Sequence, residues 1–135
     1  MSVHHEKLSL STDKRETTVD VTSRVRGAVT RSKVREGICV VNVAHTTAAV
    51  FVNENADPDV QRDLLLQLAK VIPKDGDYRH AEGNSAAHIK AVLVGNDVTL
   101  SVQGGELVLG TWQGVYFAEF DGPRERDATV TVIGD

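Results

Sequence analysis

The amino-acid sequence predicts an α+β fold with mainly antiparallel, sandwich-like β-sheets and two to three helices. Alternating apolar segments and short β-branched runs lie near both ends of the chain, and segments with helical spacing lie between them. A doubly wound parallel sheet would instead alternate strands and helices throughout. The chain has 135 residues without a linker or an internal repeat, so residues 1–135 are predicted to form a single domain.

The N-terminal segment predicts strands followed by a helix. Residues 8–19 alternate well enough for one or two strands, whereas His4 and His5 are expected to fray with the terminus. Residues 20–32 place apolar side chains on one helical face, and Asp20 is the expected N-cap.

Two strands and the clearest helix follow. Residues 37–43 form a short β-branched run, and residues 49–53 alternate as in a strand. Asp57 is then a good N-cap, and Pro58 suits the first helical position because it lacks the amide hydrogen that would be left unbonded there. This helix is expected to end before Pro73.

The predicted helix that begins at Pro58 has one apolar face. Val60, Leu64, Leu68 and Val71 fall on that face, so Leu64 and Leu68 are expected to lie in the core. A second short helix is predicted over residues 85–93.

The remainder of the chain predicts β structure. Alternating or β-branched segments are separated by glycine-containing turns, and they occupy residues 98–102, 107–109, 115–118 and 129–133.

Composition excludes several classes of protein. The net charge is −4 and the basic residues are scattered, which argues against a nucleic-acid-binding surface. No apolar run approaches the roughly 20 residues of a membrane span, and no signal peptide is visible. A lone cysteine, Cys39, excludes an intramolecular disulfide and indicates a reducing compartment. The expected location is cytoplasmic.

The stretch from His45 to Asp57 is the most unusual in the chain. His45 is followed by two threonines, and Glu54 and Asp57 lie beyond the predicted strand. Polar groups at both ends of a buried strand are costly unless they are satisfied. They therefore suggest metal ligands or acid–base groups.

His80 and His88 form a second candidate group. They are eight residues apart, with His80 in the loop before the predicted helix. This spacing matches neither a zinc finger nor an HExxH motif. They can still converge on one ligand, or they can be a loop histidine and a histidine on a helix surface.

Two further segments carry polar candidates. Asn84 precedes a helix whose free amides could bind an anion, although Asn84 or Ser85 could simply cap the helix. Thr111 and Gln113 flank the only tryptophan, Trp112, which either lies beside a polar turn or packs in the core.

Charged candidates follow near the C-terminus. Glu119 is either a buried carboxylate that needs a cation or metal, or a surface residue at a strand end. Arg124 and Arg126 either clamp a phosphate or solvate an exposed loop.

Taken together, three segments resemble the YjbQ-like family. They are HTTAAVFVNENADPDVQRDLL, DYRHAEGNSAAHIKA and LGTWQGVYFAEFDGPR, in the order and spacing of the family. The resemblance covers nearly the whole chain. It implies an α+β homotrimer with a polar pocket near the subunit boundary. It also implies a weak, secondary thiamine-phosphate synthase activity, which joins a hydroxymethylpyrimidine diphosphate to a thiazole phosphate and releases pyrophosphate.

The resemblance also assigns residues to the site. It implies a catalytic cluster with accompanying carboxylates, composed of His45, His80, His88, Glu54, Asp57 and Glu119. It implies that the three histidines bind a divalent metal, zinc or magnesium, or else an anion. Asn84, Thr111, Gln113 and Arg124 are expected to bind the cofactor or phosphate groups.

Two interpretations of function remain open. The first is an enzyme that acts on phosphorylated small molecules. The second is a non-catalytic trimeric protein that binds a metal or ligand. No recognisable pair of nucleophile and base decides between them.

Overall fold

The computed structural model describes residues 1–135 and contains eight strands and three helices. The first half comprises β1 (Ser2–Ser11), β2 (Thr17–Asp20), α1 (Thr22–Ser32), β3 (Gly37–Asn42), β4 (Ala48–Glu54) and α2 (Pro58–Val71). The second half comprises α3 (Ser85–Val94), β5 (Asp97–Gln103), β6 (Glu106–Leu107), β7 (Gln113–Glu119) and β8 (Glu125–Gly134). None of the helices is both long and apolar enough to cross a membrane.

The strands form two antiparallel sheets. The large sheet has the order β1-β8-β3-β5-β6, and the small sheet has the order β2-β7-β4. Val41 and Val132 of the large sheet share one apolar cluster with Val50 and Phe117 of the small sheet. Val25 of α1 belongs to the same cluster. The predicted α+β fold with sandwich-like antiparallel sheets is therefore confirmed.

Helix α1 begins one residue later than an N-cap at Asp20 predicts. Asp20 accepts hydrogen bonds from the backbone nitrogen and the hydroxyl of Thr22, and Val21 occupies the N-cap position. Asp20 thus stabilises the start of the helix from one position further back than expected.

Helix α2 begins as predicted, but its predicted burial is wrong. Asp57 caps it by accepting from the backbone nitrogen of Asp59. No residue of α2 is fully buried, and Val71 is 62% exposed. Leu64 is only half-buried, and Leu68 packs against a small cluster on the outer face of the small sheet. The apolar stripe predicts a helical face correctly, but it does not reveal how much protein covers that face.

Helix α3 confirms the second predicted helix and ends at Gly95, which has a φ of 102°. Ala87 and Ala91 pack against Ala49 and Ala118 of the small sheet. These small side chains allow the helix to approach the sheet closely.

The prediction that the N-terminal histidines fray is wrong. His4 and His5 lie in β1, which pairs with β8 over its whole length, and they do not fray. His4 Nε2 lies 2.6 Å from a carboxylate oxygen of Glu6. His5 Nδ1 lies 3.0 Å from the hydroxyl of Thr131.

Candidate functional site

Two histidines meet beside the N-terminus of α3. His80 lies in the preceding loop and His88 on the first turn, with ring centroids 5.4 Å apart and ring planes at 81°. They line a hollow of about 450 Å³ together with residues 77–79, Ser85 and Ile89, which we call the first hollow. The hydroxyl of Ser85 lies 3.0 Å from His80 Nδ1 and links the loop to the helix. The structure brings the two rings to one hollow, and a shared ligand stays a prediction.

The first hollow contains charges of both signs. Arg79 contributes a cation and Asp77 a carboxylate, and a Glu82 oxygen lies 3.7 Å from His80 Nε2. The positive end of the α3 dipole is at the same place. The hollow therefore offers partners to an anion and also to a divalent cation.

A second hollow, of about 460 Å³, lies on the other side of His88. It is lined by His45, Thr46, Ala48, His88, Ala91, Val92, Gly95 and Asn96. His88 thus borders both hollows, whereas His45 and His80 line one each. No group of three or more His, Cys, Asp or Glu side chains in the chain is arranged to hold a metal ion. The zinc or magnesium site predicted at the three histidines stays a prediction.

His45 is held by β8. The backbone N–H of Asp127 donates to His45 Nε2 at 3.3 Å. The same ring nitrogen lies 3.4 Å from Asp127 Oδ1. The other carboxylate oxygen lies 3.7 Å from Lys7 Nζ on the neighbouring strand β1. One residue of β8 therefore presents both a donor and a carboxylate to the same nitrogen.

A buried ion pair lies beneath the loop that contains His45. Glu119 is fully buried, and it accepts hydrogen bonds from Arg126 Nε at 2.9 Å and from the Thr12 hydroxyl at 2.7 Å. Arg126 also donates to the hydroxyl of Thr47 at 2.8 Å. Glu119 lines neither hollow. Of the two readings of Glu119, the structure shows the buried carboxylate, with Arg126 as its cation.

The surroundings of Glu119 change its ionisation. Burial on its own raises the pKa of the carboxyl, but hydrogen bonds from Arg126, Thr12 and the Asp121 backbone outweigh it and lower the pKa below its usual value.

Both predictions for Arg126, as a phosphate clamp or an exposed loop residue, are wrong, since its side chain is buried against Glu119. The alternation of β8 turns this side chain inward.

Asn84 and Arg124 meet at Asp121. The side-chain amide of Asn84 donates to Asp121 Oδ2 at 2.9 Å, and Arg124 donates to the same oxygen at 3.1 Å. Asn84 occupies the N-cap position of α3 but makes no side-chain capping bond, so the simple capping role for it is wrong. Its buried Oδ1 has no hydrogen-bond partner. Arg124 already neutralises one carboxylate, which leaves less of its charge for a phosphate.

The other predicted site residues lie at the far end of the small sheet. Ala48 pairs with Glu119 at one end of β4, and Glu54 pairs with Gln113 at the other. Six residues of strand span about 20 Å. Within one chain, Glu54 and Gln113 are therefore separated from the histidines, which corrects the single cluster implied by the resemblance.

Asp57 and Thr111 lie with that distant group. The carboxylate of Asp57 caps α2, and Thr111 is exposed in the turn before β7. Trp112 in the same turn is 63% exposed and is not a core residue. The backbone nitrogen of Gly110 donates to the side chain of Gln113 at 2.8 Å. These side chains shape the turn and the helix start.

Sequence reasoning missed several residues around the hollows. Arg79 is next to His80 in the sequence but belongs to no motif. Asp127 lies in a strand of alternating residues, where a single carboxylate does not stand out. Lys90, on α3, is 1% exposed, and its Nζ lies 3.0 and 3.1 Å from the two carboxylate oxygens of Glu16. Alternation in β8 could have separated Arg126 from Asp127, because successive strand residues face opposite sides. No local pattern links Lys90 to Glu16.

The fold and the two hollows define an α+β protein of two antiparallel sheets with histidines at one end of the small sheet. Residues 6–135 match the family profile described as UPF0047 protein YjbQ-like. The chain belongs to the YjbQ-like UPF0047 family, as the sequence resemblance predicted.

Relatives match over almost the whole chain. A UPF0047 protein of Methanocaldococcus jannaschii is 50% identical over 129 residues, which cover 96% of this chain and 94% of the relative. The UPF0047 protein YugU of Bacillus subtilis is 42% identical over 128 residues, covering 94% of this chain and 97% of the relative.

Solved structures share the fold. A crystal structure of a YjbQ/UPF0047 family protein from Clostridium acetobutylicum has a TM-score of 0.93 at 52% identity, covering 95% of this chain and 99% of that chain. A YbjQ-like protein of unknown function from Sulfolobus solfataricus has a TM-score of 0.96 at 33% identity, covering 99% of each chain.

Proposed function

We propose that the protein is a small-molecule enzyme that binds the phosphate or diphosphate group of its substrate in the first hollow. The observation that carries the proposal is the pairing of His80 and His88, with ring centroids 5.4 Å apart, across a hollow that also contains Arg79. Imidazolium and guanidinium groups are good partners for phosphate oxygens. The N-terminus of α3 adds a favourable dipole.

The proposed reaction type is a transfer with release of pyrophosphate. The specific candidate is a weak thiamine-phosphate synthase activity, in which a hydroxymethylpyrimidine diphosphate is joined to a thiazole phosphate. Charge builds up on the departing diphosphate in such a reaction. Cationic groups placed beforehand in the first hollow would stabilise that charge.

Pyrophosphate binding tests the proposal directly. Titration calorimetry of chelator-treated protein is expected to show binding that weakens at least tenfold in His80→Ala and His88→Ala. His5→Ala is the matched control, since His5 lies on β1 and lines neither hollow. Imidazoles in general gain charge as pH falls through about 6.5, so binding is expected to be tighter at pH 6 than at pH 8. No measurable binding at millimolar pyrophosphate, with or without added metal, would remove the proposal.

A second candidate is a non-catalytic protein that binds a divalent metal, zinc or magnesium, or another ligand. Two carboxylates favour it, because Asp77 lines the first hollow and a Glu82 oxygen lies 3.7 Å from His80 Nε2. The two candidates differ in two measurements. Binding of pyrophosphate that requires added metal, together with no product from the two thiamine precursors, would favour the second candidate.

We also propose that the chain assembles as a homotrimer in the cytoplasm, with the hollows close to a subunit boundary. Val92, which lines the second hollow, is 84% exposed, and the neighbouring Leu93 is 62% exposed. Clustered exposed apolar side chains often mark a surface that another protein covers. Light scattering at micromolar concentration should report three times the mass of the 14.6 kDa chain. A monomer mass would exclude this assembly.

A further inference from the structure

We propose that His45 is a fixed hydrogen-bond donor in the second hollow, with its proton held on Nδ1, and that it recognises an acceptor oxygen of a compact, largely apolar molecule. This role differs from the acid–base or metal-binding role expected from the sequence. The proposal does not rest on phosphate binding in the first hollow, because His45 does not line that hollow.

The Nε2 atom of His45 already accepts a hydrogen bond. The backbone N–H of Asp127 donates to this nitrogen at 3.3 Å. A backbone amide can only donate, so Nε2 must supply its lone pair. A neutral imidazole carries one proton, which is therefore on Nδ1.

The carboxylate of Asp127 does not need the proton of the ring. Its Oδ1 lies 3.4 Å from Nε2, and its Oδ2 lies 3.7 Å from Lys7 Nζ. Since the backbone amide donates to Nε2 and a lysine neutralises the carboxylate, the neutral ring keeps its proton on Nδ1.

The loop that carries His45 is fixed by the buried ion pair. Thr47, two residues after His45, accepts a hydrogen bond from the buried guanidinium of Arg126 at 2.8 Å. Arg126 and Asp127 are consecutive in β8 and face opposite sides of the strand. The inward residue therefore fixes the loop while the outward residue fixes the ring. A donor fixed in this way loses little freedom when it binds an acceptor.

The walls of the second hollow indicate the ligand class. Ala48, Ala91 and Val92 are apolar, Asn96 adds one amide and Thr46 one hydroxyl, and His88 is the only titratable side chain besides His45. No Lys, Arg, Asp or Glu lines this hollow. Such walls favour a small molecule with an apolar body and one or two acceptor atoms over a highly charged one.

The tautomer can be measured directly. We suggest ¹⁵N-histidine labelling of chelator-treated full-length protein at about pH 9, well above the ~6.5 at which imidazole titrates. His45 is expected to show the Nδ1–H tautomer as its major form. Asp127→Ala keeps the backbone amide and is expected to keep that tautomer. A major Nε2–H form in the wild type, or a switch of tautomer in Asp127→Ala, would overturn the proposal.

Two titrations test the donor role in the same sample. Isobutyramide, a compact probe with one carbonyl oxygen, should shift the Nδ1–H signal of His45 and leave His5 unchanged. The absence of a shift up to about 100 mM probe, a range that detects even very weak binding, would overturn the assignment of ligand class. Equimolar zinc should leave His45 unchanged. Saturable zinc-induced shifts at His45 would show a metal ligand and overturn the donor role.

Discussion

Arg126 and Glu119 form an ion pair that solvent barely reaches, with side-chain exposures of 3% and 0%. Arg126 also donates to Thr47, so the pair connects the end of β7 and the start of β8 to the loop that carries His45. Burying two charges costs several kcal/mol for each ion, and that cost is recovered only when the pair is intact. The position of His45 in the second hollow therefore depends on the Arg126–Glu119 pair, although neither residue lines that hollow.

The first prediction is that Arg126→Met destabilises the protein strongly. Removing the cation leaves the buried carboxylate of Glu119 unpaired, which costs about 3–5 kcal/mol of unfolding free energy. Urea denaturation measures the change. Arg24→Met is the matched control, because Arg24 is exposed on α1, and it should change stability by no more than about 0.5 kcal/mol. The double variant Arg126→Met/Glu119→Leu should recover much of the loss, and a loss equal to the sum of the two single variants would contradict the pairing.

The second prediction concerns acid stability. The pKa of folded Glu119 lies below its usual value, whereas an unfolded glutamate titrates near ~4.3. The folded state therefore binds fewer protons in this range, and the stabilisation is complete above ~4.3 and lost as pH falls through the folded pKa. The unfolding free energy should fall as the pH is lowered below about 5, and Glu119→Gln should show a shallower fall. Parallel profiles for the two proteins would contradict this.

Glu6 provides a comparison on the surface for the same experiment. A hydrogen bond from Arg31, followed by one from His4, lowers the pKa of Glu6 to about 2. Its contribution therefore has the same sign, being present above ~4.3 and lost as pH falls toward 2. Because solvent screens exposed pairs, Glu6→Gln should change the acid profile much less than Glu119→Gln. A larger effect of Glu6→Gln would contradict the assignment of the acid dependence mainly to Glu119.

The third prediction is that Cys39 is unreactive in the folded protein. Burial raises the pKa of its thiol to about 11, and the residue lies in the central strand β3 of the large sheet. Only the thiolate reacts readily with iodoacetamide. At pH 8, mass spectrometry should find no alkylation of Cys39 in native protein and complete alkylation in urea. Rapid alkylation under native conditions would show that β3 opens.

The fourth prediction separates the core from the surface of α2. Phe117 is 1% exposed, and Phe117→Ala should cost about 3–5 kcal/mol. Leu68 is only half-buried in one chain, so Leu68→Ala should cost less than about 2 kcal/mol. Denaturation at low protein concentration measures both. If Leu68→Ala costs as much as Phe117→Ala, α2 is covered by another chain.

Local features of this structure were predictable from the sequence, and distant pairings were not. Asp57 and Pro58 predicted the start of α2, because capping depends on neighbouring residues. His4 and His5 are ordered only because β1 pairs with β8 more than a hundred residues away. No local pattern contains that information. The spacing of His80 and His88 allowed the two rings to lie together or apart. The conformation of the loop before α3, which the spacing does not reveal, brings them together.

The same reasoning explains why the predicted site divided. Glu54 and His45 are close in sequence, and both are polar residues beside a strand. A straight strand rises about 3.3 Å per residue, so Glu54 and His45 lie at opposite ends of β4 although they are close in sequence. The family resemblance identified both residues but carried no information about the distance between them.

The last prediction concerns Lys90 and Glu16, whose removal should have unequal effects. The Lys90 side chain is 2% exposed and that of Glu16 is 21% exposed. Glu16→Ala leaves a buried ammonium without a partner and should cost about 3–5 kcal/mol. Lys90→Met leaves a carboxylate that water can reach, and it should cost less. Because Lys90 lies two residues after His88 on α3, Glu16→Ala should also weaken pyrophosphate binding, and Glu16→Asp should restore part of it. Equal losses of stability in the two single variants, measured by urea denaturation, would show that the pair contributes by packing and not by charge.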